Sequence, residues 1–206
     1  TDNLEIIEEK ISIDGTIKFL FNVDQHKSVE GVLIPQFNRL TACISSQVGC
    51  SLACEFCATG KLKLYRNLSS GEIYDQAFLL NRFCVRKFNK PITNIVFMGM
   101  GEPLLNIKNV LSSINYICSE SGMGMSSKRI TLSTVGIPKI IKKIADLNPK
   151  FNLAISLHSA NDIKRSEIMP INQTTDLKKL LDALLYFYNK TNIKPTYEYV
   201  LLNKVN

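Results

Sequence analysis

Nowhere in its 206 residues does the chain have an apolar run long enough to span a bilayer, and no charged segment leads into an apolar one at its N-terminus. A membrane helix and a secretory leader are thus not among the readings, and the cytoplasm is the expected compartment. The chain begins with Thr1 rather than Met, which leaves room for a trimmed leader or a preceding domain. Internal repeats, low-complexity blocks and long linkers are missing too. One well-buried domain, or a large part of a bigger one, is the frame that remains. Histidine is scarce, at two residues, so a His-rich metal site has little to build on.

What the chain does carry is positive charge and cysteine. The formal net charge is +7, an excess that suits a polyanionic partner such as nucleic acid. A bias towards lysine spread over a solvated surface gives the same number, and charge alone does not choose between them. Six cysteines without a secretory signal argue against a disulfide framework. Cys84 falls on the helical stripe Ile73, Ala77, Leu80, Cys84, and Cys118 on Val110, Ile114, Ile117, Cys118. Both are expected as small buried hydrophobes. Cys43, Cys50, Cys54 and Cys57 are left within fifteen residues. That clustering is the signal.

Along the chain, residues 11–34 read as short extended runs broken by Asp14-Gly15 and by a polar turn at Asp24-Gln25-His26-Lys27. They predict a small β-meander occupying residues 1–38. From residue 39 to 206 the pattern becomes strand, loop, helix, repeated, with strands expected at 41–46, 93–99, 129–135, 152–158 and 196–202. The first helix opens on the capping box Ser69/Glu72, and the last shows Leu177, Leu180, Leu181, Leu184, Leu185 and Tyr188 at helical spacing. This alternation implies an α/β fold with parallel strands and crossover helices. Chemistry in such folds gathers at the C-terminal strand ends. Here those ends hold the cysteine loop, "MGMGEP", Ser133-Thr134 and Ser156-Leu157-His158.

The run "VGCSLACEFCATGK" sets three cysteines at 50, 54 and 57. Thiolates this close repel one another unless a cation lies among them. Zinc takes four protein ligands, usually in paired CxxC spacings, and only Cys54/Cys57 has that spacing, with Cys43 or His158 as the available fourth. A four-iron–four-sulfur cluster held by three thiolates instead leaves one iron for an exogenous ligand. Both readings stay open on spacing alone.

The surrounding words go further. "CISSQVGCSLACEFCATG", "RNLSSGEI", "IVFMGMGEPLLN", "RITLSTVGIP", "LAISLHSANDIKRSEIMPIN" and "YEYVLLNKVN", in this order, resemble the RlmN/Cfr family of radical S-adenosylmethionine (SAM) RNA adenine methyltransferases, on its RlmN side. The resemblance runs from about residue 6 to the end. It implies a partial (β/α) barrel of the radical SAM type behind the meander. It also implies a 4Fe-4S cluster on Cys50, Cys54 and Cys57, with SAM on its open iron.

By the same resemblance, Gly101 and Glu102 contact the SAM amino group, and Ser133, Ser156, Leu157 and His158 contact the rest of the cofactor. Strand alternation puts Ser156 and His158 on one face with Ala154. Cys43 matches a cysteine that forms a transient disulfide with a methyl-carrying cysteine, after a 5′-deoxyadenosyl radical has activated the methyl group for transfer to C2 of an adenine. Glu30 matches the acceptor of the C2 proton. The implied partners are ribosomal RNA, transfer RNA and a one-electron donor such as flavodoxin or ferredoxin. No membrane is implied, and the protein is expected as a monomer. Lys61, Lys63 and Arg66 are candidate phosphate contacts. Relative to the family, the chain stops after its fifth barrel strand and lacks the methyl-carrying cysteine, which is the expectation for an enzyme core. Two enzymatic alternatives share these motifs in whole or part, a C8-methylating relative and another radical SAM enzyme acting on a small molecule or peptide. As a non-enzymatic alternative, four cysteines suit a structural zinc in a basic RNA-binding module.

Overall fold

A computed structural model describes residues 4–24 and 27–206. The expected polar turn falls partly on Gln25 and His26, which lie outside the described residues. Four strands come first, β1 (Glu5–Ile11), β2 (Ile17–Asp24), β3 (Lys27–Gln36) and β4 (Arg39–Cys43), each antiparallel to the next. The β1–β2 turn forms because Asp14 Oδ1 accepts a hydrogen bond from the Thr16 N–H at 2.9 Å while Gly15 takes φ +83°. A two-residue ladder follows, β5 (Gln47–Val48) with β6 (Arg66–Asn67), and the cysteine loop lies between its strands.

The rest is parallel. Strands β7 (Asn94–Phe97), β8 (Ile130–Thr134), β9 (Asn152–Ser156) and β10 (Thr196–Glu198) add in order beside β4. Helix α1 (Ser70–Phe88) leads into β7, α2 (Ile107–Cys118) into β8, α3 (Pro138–Asp146) into β9, and α4 (Asp162–Ile168) and α5 (Leu177–Thr191) into β10. Sequential order without a reversal is the winding of a (β/α) barrel, here an eight-stranded open sheet β1-β2-β3-β4-β7-β8-β9-β10. The change from antiparallel to parallel pairing comes at β4, within one sheet rather than across a gap.

One face of this sheet is apolar throughout. Ile17, Phe19, Phe21, Val29, Leu33, Ala42, Ile95, Leu132 and Ile155 pack into a single core with Ile73, Ala77, Leu80 and Cys84 of α1 and Leu180 and Phe187 of α5. Each large side chain so buried stabilises the fold by about 1.5–3 kcal/mol. Cys84 is fully buried, as its stripe predicts, whereas Cys118, at the last position of α2, is only half-buried against the same core. Two residues of the α5 stripe differ from expectation. Leu181 and Leu185 are exposed, and Ala183 and Phe187 take the buried positions instead. Leu180, buried as expected, packs on Gly136, where a Cβ would come within 2.5 Å of it.

The opposite face carries the polar side chains. Cross-strand register puts Val32, Cys43, Val96 and Thr131 in one row, Ser133 and Ala154 in the next, and Ser156 beside Glu198. The parallel strands are shorter than the sequence pattern predicts. β9 ends at Ser156 rather than at 158, since His158 has φ +53° and cannot extend a strand. Strand alternation therefore does not carry through to His158. Among the described residues no helix is long and apolar enough to cross a membrane.

Candidate active site

The strand ends and the cysteine loop enclose one pocket. Its lining includes Cys50, Cys54, Cys57, Gly101, Glu102, Ser133, Ser156 and Glu198, with Phe56, Met98 and Val135 as apolar wall. The loop that presents the thiols is tightly wound. The Cys57 N–H donates to the Cys54 carbonyl at 3.1 Å, the Gly60 N–H donates to the Cys57 carbonyl at 3.0 Å, and Ala53 takes φ +51°. Only glycine fits at 60, where a Cβ would stand 2.7 Å from the Cys54 carbonyl oxygen. Winding of this kind turns three thiols toward one space.

Their acidity shows what that space lacks. Burial raises the Cys50 thiol, and the charge on Cys57 adds to it. Burial, with the neighbouring Cys50 and Cys57 adding to it, pushes Cys54 up to about 12. Thiols gathered on one pocket are a donor set for a cation, which would hold them as thiolates. Among the described residues, no three His, Cys, Asp or Glu side chains are grouped to hold a single metal ion. A cubane gives each thiolate its own iron, so it fits thiols that share a pocket without converging on one point.

Glu102 makes the same demand. It is 3% exposed, accepts from the Leu104 N–H at 2.9 Å and the Val135 N–H at 3.0 Å, and is bonded by Thr134. Burial still raises its pKa, against the pull of these hydrogen bonds. A buried carboxylate facing a pocket is completed by a cation that enters the pocket, such as an ammonium group. Gly101, at φ +92°, is fixed by its neighbour rather than by bulk in the pocket. A Cβ there would meet Gln47 at 2.4 Å, and Gln47 Oε1 accepts from the Glu102 N–H at 2.8 Å.

The structure brings Cys50, Cys54, Cys57, Gly101, Glu102, Ser133 and Ser156 to one wall, while Leu157 and His158 stand behind it. The His158 ring packs edge-on against Phe56 at 4.4 Å, and its Nδ1 accepts from the Val200 N–H at 3.1 Å. Burial lowers its pKa, which favours the neutral ring that accepts this bond. Cys43 is buried beside the pocket floor, bonded to the Met98 backbone, and burial pushes it up to about 11. Glu30 lies on the same sheet face as Cys43, outside the pocket, with its carboxylate 3.0 Å from Lys18 Nζ.

Arg66 is not available as a phosphate contact. Its guanidinium forks onto Glu72 at 2.7 and 2.8 Å and bonds Asp24 at 3.0 Å. Lys61 and Lys63, by contrast, are exposed.

Three thiols and a buried carboxylate thus lie together on one pocket at the strand ends, and comparison with known proteins gives the family. The radical SAM superfamily pattern matches residues 44–206. The chain belongs to the radical SAM superfamily. Within it, a probable dual-specificity RNA methyltransferase RlmN from Cytophaga hutchinsonii is 54% identical over 98% of this chain and 55% of its own length. The dual-specificity RNA methyltransferase RlmN of Buchnera aphidicola from Acyrthosiphon pisum is 47% identical over 98% of this chain and 56% of its own. The crystal structure of a radical SAM methyltransferase from Sphaerobacter thermophilus superposes with a TM-score of 0.94 at 38% identity, covering 98% of this chain and 60% of that one. The resemblance to RlmN read from the motifs therefore holds. The chain spans about half the length of the curated relatives it matches.

Two residues of this radical SAM site escaped the sequence reading. Glu198 accepts hydrogen bonds from both Ser133 and Ser156. Its signal was a lone acid in the β-rich run "TYEYVLL", on the face that alternation assigns to the pocket. Arg165, fully buried, donates to the carbonyls of Val135, Ser156 and Leu157 and to Asn172 Oδ1, tying the ends of β8 and β9 together. Only a tertiary structure reveals that, since its neighbours in sequence are polar and exposed.

Proposed function

We propose that this chain is the core of a radical SAM RNA methyltransferase that adds a methyl group to C2 of an adenine in ribosomal RNA and in transfer RNA. The observation that carries this reading is the convergence of Cys50, Cys54 and Cys57 with the buried Glu102 on one pocket. In this reading the three cysteines hold a 4Fe-4S cluster. Gly101 and Glu102 receive the SAM amino group, and Ser133 and Ser156 front the remainder. Leu157 and His158 support that wall from behind, through the backbone and through Phe56. The bound cluster and SAM together supply a one-electron cleavage that generates a carbon radical.

The residues of the chain bind, orient and shield. Phe56, Met98 and Val135 form an apolar wall that keeps water from a reactive radical. Cys43, buried and held as a thiol, is the one placed to pair with a methyl-carrying cysteine, and Glu30, on the same sheet face, to take the C2 proton. A base paired in a helix hides its C2 edge, so the adenine reaches this face from a single-stranded loop or by flipping. The remaining partner is a one-electron donor such as flavodoxin or ferredoxin. The protein acts as a monomer in the cytoplasm.

Anaerobic reconstitution with iron and sulfide tests this reading. The expected product is a brown protein with about four irons per chain that binds SAM, and a Cys50→Ala variant that stays colourless. A colourless wild type holding one tight zinc would favour the RNA-binding module instead.

A further inference from the structure

Ser133 Oγ donates to Glu198 Oε2 at 2.8 Å, and Ser156 Oγ donates to the same oxygen at 3.2 Å. All three side chains line the pocket. They come from three adjacent strands, and the register sets Ser156 directly beside Glu198 on one sheet face. The backbone of Glu198 is clamped as well, since its carbonyl accepts from the N–H groups of Leu157 at 3.0 Å and His158 at 3.2 Å. β10 is only three residues long, and these bonds hold its acidic end against β9.

A serine hydroxyl has one proton to give and two lone pairs to offer. Here both protons are committed to a single carboxylate oxygen, so what the two serines present to the pocket is lone pairs. We propose that Glu198 is a positioning residue that fixes Ser133 and Ser156 as hydrogen-bond acceptors, so that this wall of the pocket selects a ligand presenting donors. The inference rests on the reading that the pocket takes SAM, whose ribose hydroxyls are such donors. Without Glu198 each hydroxyl rotates freely, and the ligand must bear the entropy of ordering both.

The test uses the chain reconstituted with iron and sulfide, with SAM as the probe and calorimetry as the readout. Glu198→Ala should weaken SAM binding roughly 10- to 100-fold, the range for lost hydrogen bonds to a charged group. Glu198→Gln keeps an acceptor oxygen at the same reach and should stay within about threefold of wild type. In a Ser133→Ala/Ser156→Ala background, adding Glu198→Ala should cost less than about twofold, because no hydroxyl remains for it to orient.

Iron content and circular dichroism show whether each variant is folded and loaded, and Glu198→Gln carries the comparison if Glu198→Ala is not. Equal loss with and without the serines would overturn the proposal in favour of a purely structural acid. So would unchanged binding in Glu198→Ala, or a Glu198→Gln variant as weak as Glu198→Ala. A loaded wild type that binds no SAM would instead defeat the underlying reading of the pocket, and this inference with it.

Discussion

At the scale of single residues, burial favours the neutral form of the groups in and around the site. Cys43 is the clearest because it lies away from the cluster loop. Burial lifts it from an ordinary 9.0 to about 11, against a weaker pull from its bond to Met98. A thiol two units above its ordinary value carries about a hundredfold less thiolate at pH 8, and the thiolate is the reactive form. We predict that iodoacetamide labels Cys43 in the folded chain at least about a hundredfold more slowly than in urea. The rate should climb about tenfold per pH unit until close to 11. Peptide mass spectrometry reads this directly, and rapid labelling that ignores pH would show an exposed, ordinary thiol. A sulfur held as thiol suits a residue that must stay unreactive until a reaction intermediate arrives.

At the scale of elements, the local chemistry of α1 reaches beyond the helix. Ser69 Oγ accepts from the Glu72 N–H at 3.1 Å, and Glu72 Oε2 accepts from the Ser69 N–H at 2.8 Å, completing the capping box. The same carboxylate receives the Arg66 fork, and Arg66 also bonds Asp24 at the end of β2. One buried acid thus joins a helix start, the ladder that flanks the cysteine loop and the N-terminal strands. Glu72→Ala should destabilise the chain by about 2 kcal/mol, from the lost cap and the broken charge-assisted pair. Glu72→Gln retains the cap and should cost about half as much, and urea denaturation separates the two. Elements of this kind were legible in sequence because each signal is local: the box at Ser69, the Asp14-Gly15 turn, the short extended runs between residues 11 and 34. What was not legible was where elements stop. β9 ends at Ser156 because His158 adopts a left-handed conformation, and on α5 it is Ala183 and Phe187, not Leu181 and Leu185, that the core takes in. Those outcomes depend on partners far away in sequence.

At the scale of the whole molecule, the same limit explains which site residues were found. Cys50, Cys54 and Cys57 announce themselves by spacing, whereas Glu198 matters only because β10 lies against β9. Arg66 was misplaced for the converse reason, since its acids come from two separate elements. The corrected assignment changes what the net charge of +7 can do. With Arg66 committed internally, the exposed Lys61 and Lys63 are the cations left beside the cluster loop. An RNA that reaches the pocket over this rim releases counterions, and its affinity should fall steeply as salt rises. Lysines that each neutralise one phosphate of a single strand contribute about 0.7 to the slope of log affinity against log salt. Lys61→Ala/Lys63→Ala should therefore reduce that slope by about 1.4 without lowering stability, while Arg66→Ala should lower stability and leave the slope almost unchanged. Fluorescence anisotropy with a single-stranded ribosomal RNA fragment at several salt concentrations measures both. A double variant with the wild-type slope would move the RNA path elsewhere on the molecule, most simply onto the open sheet face that carries Lys18 and Glu30.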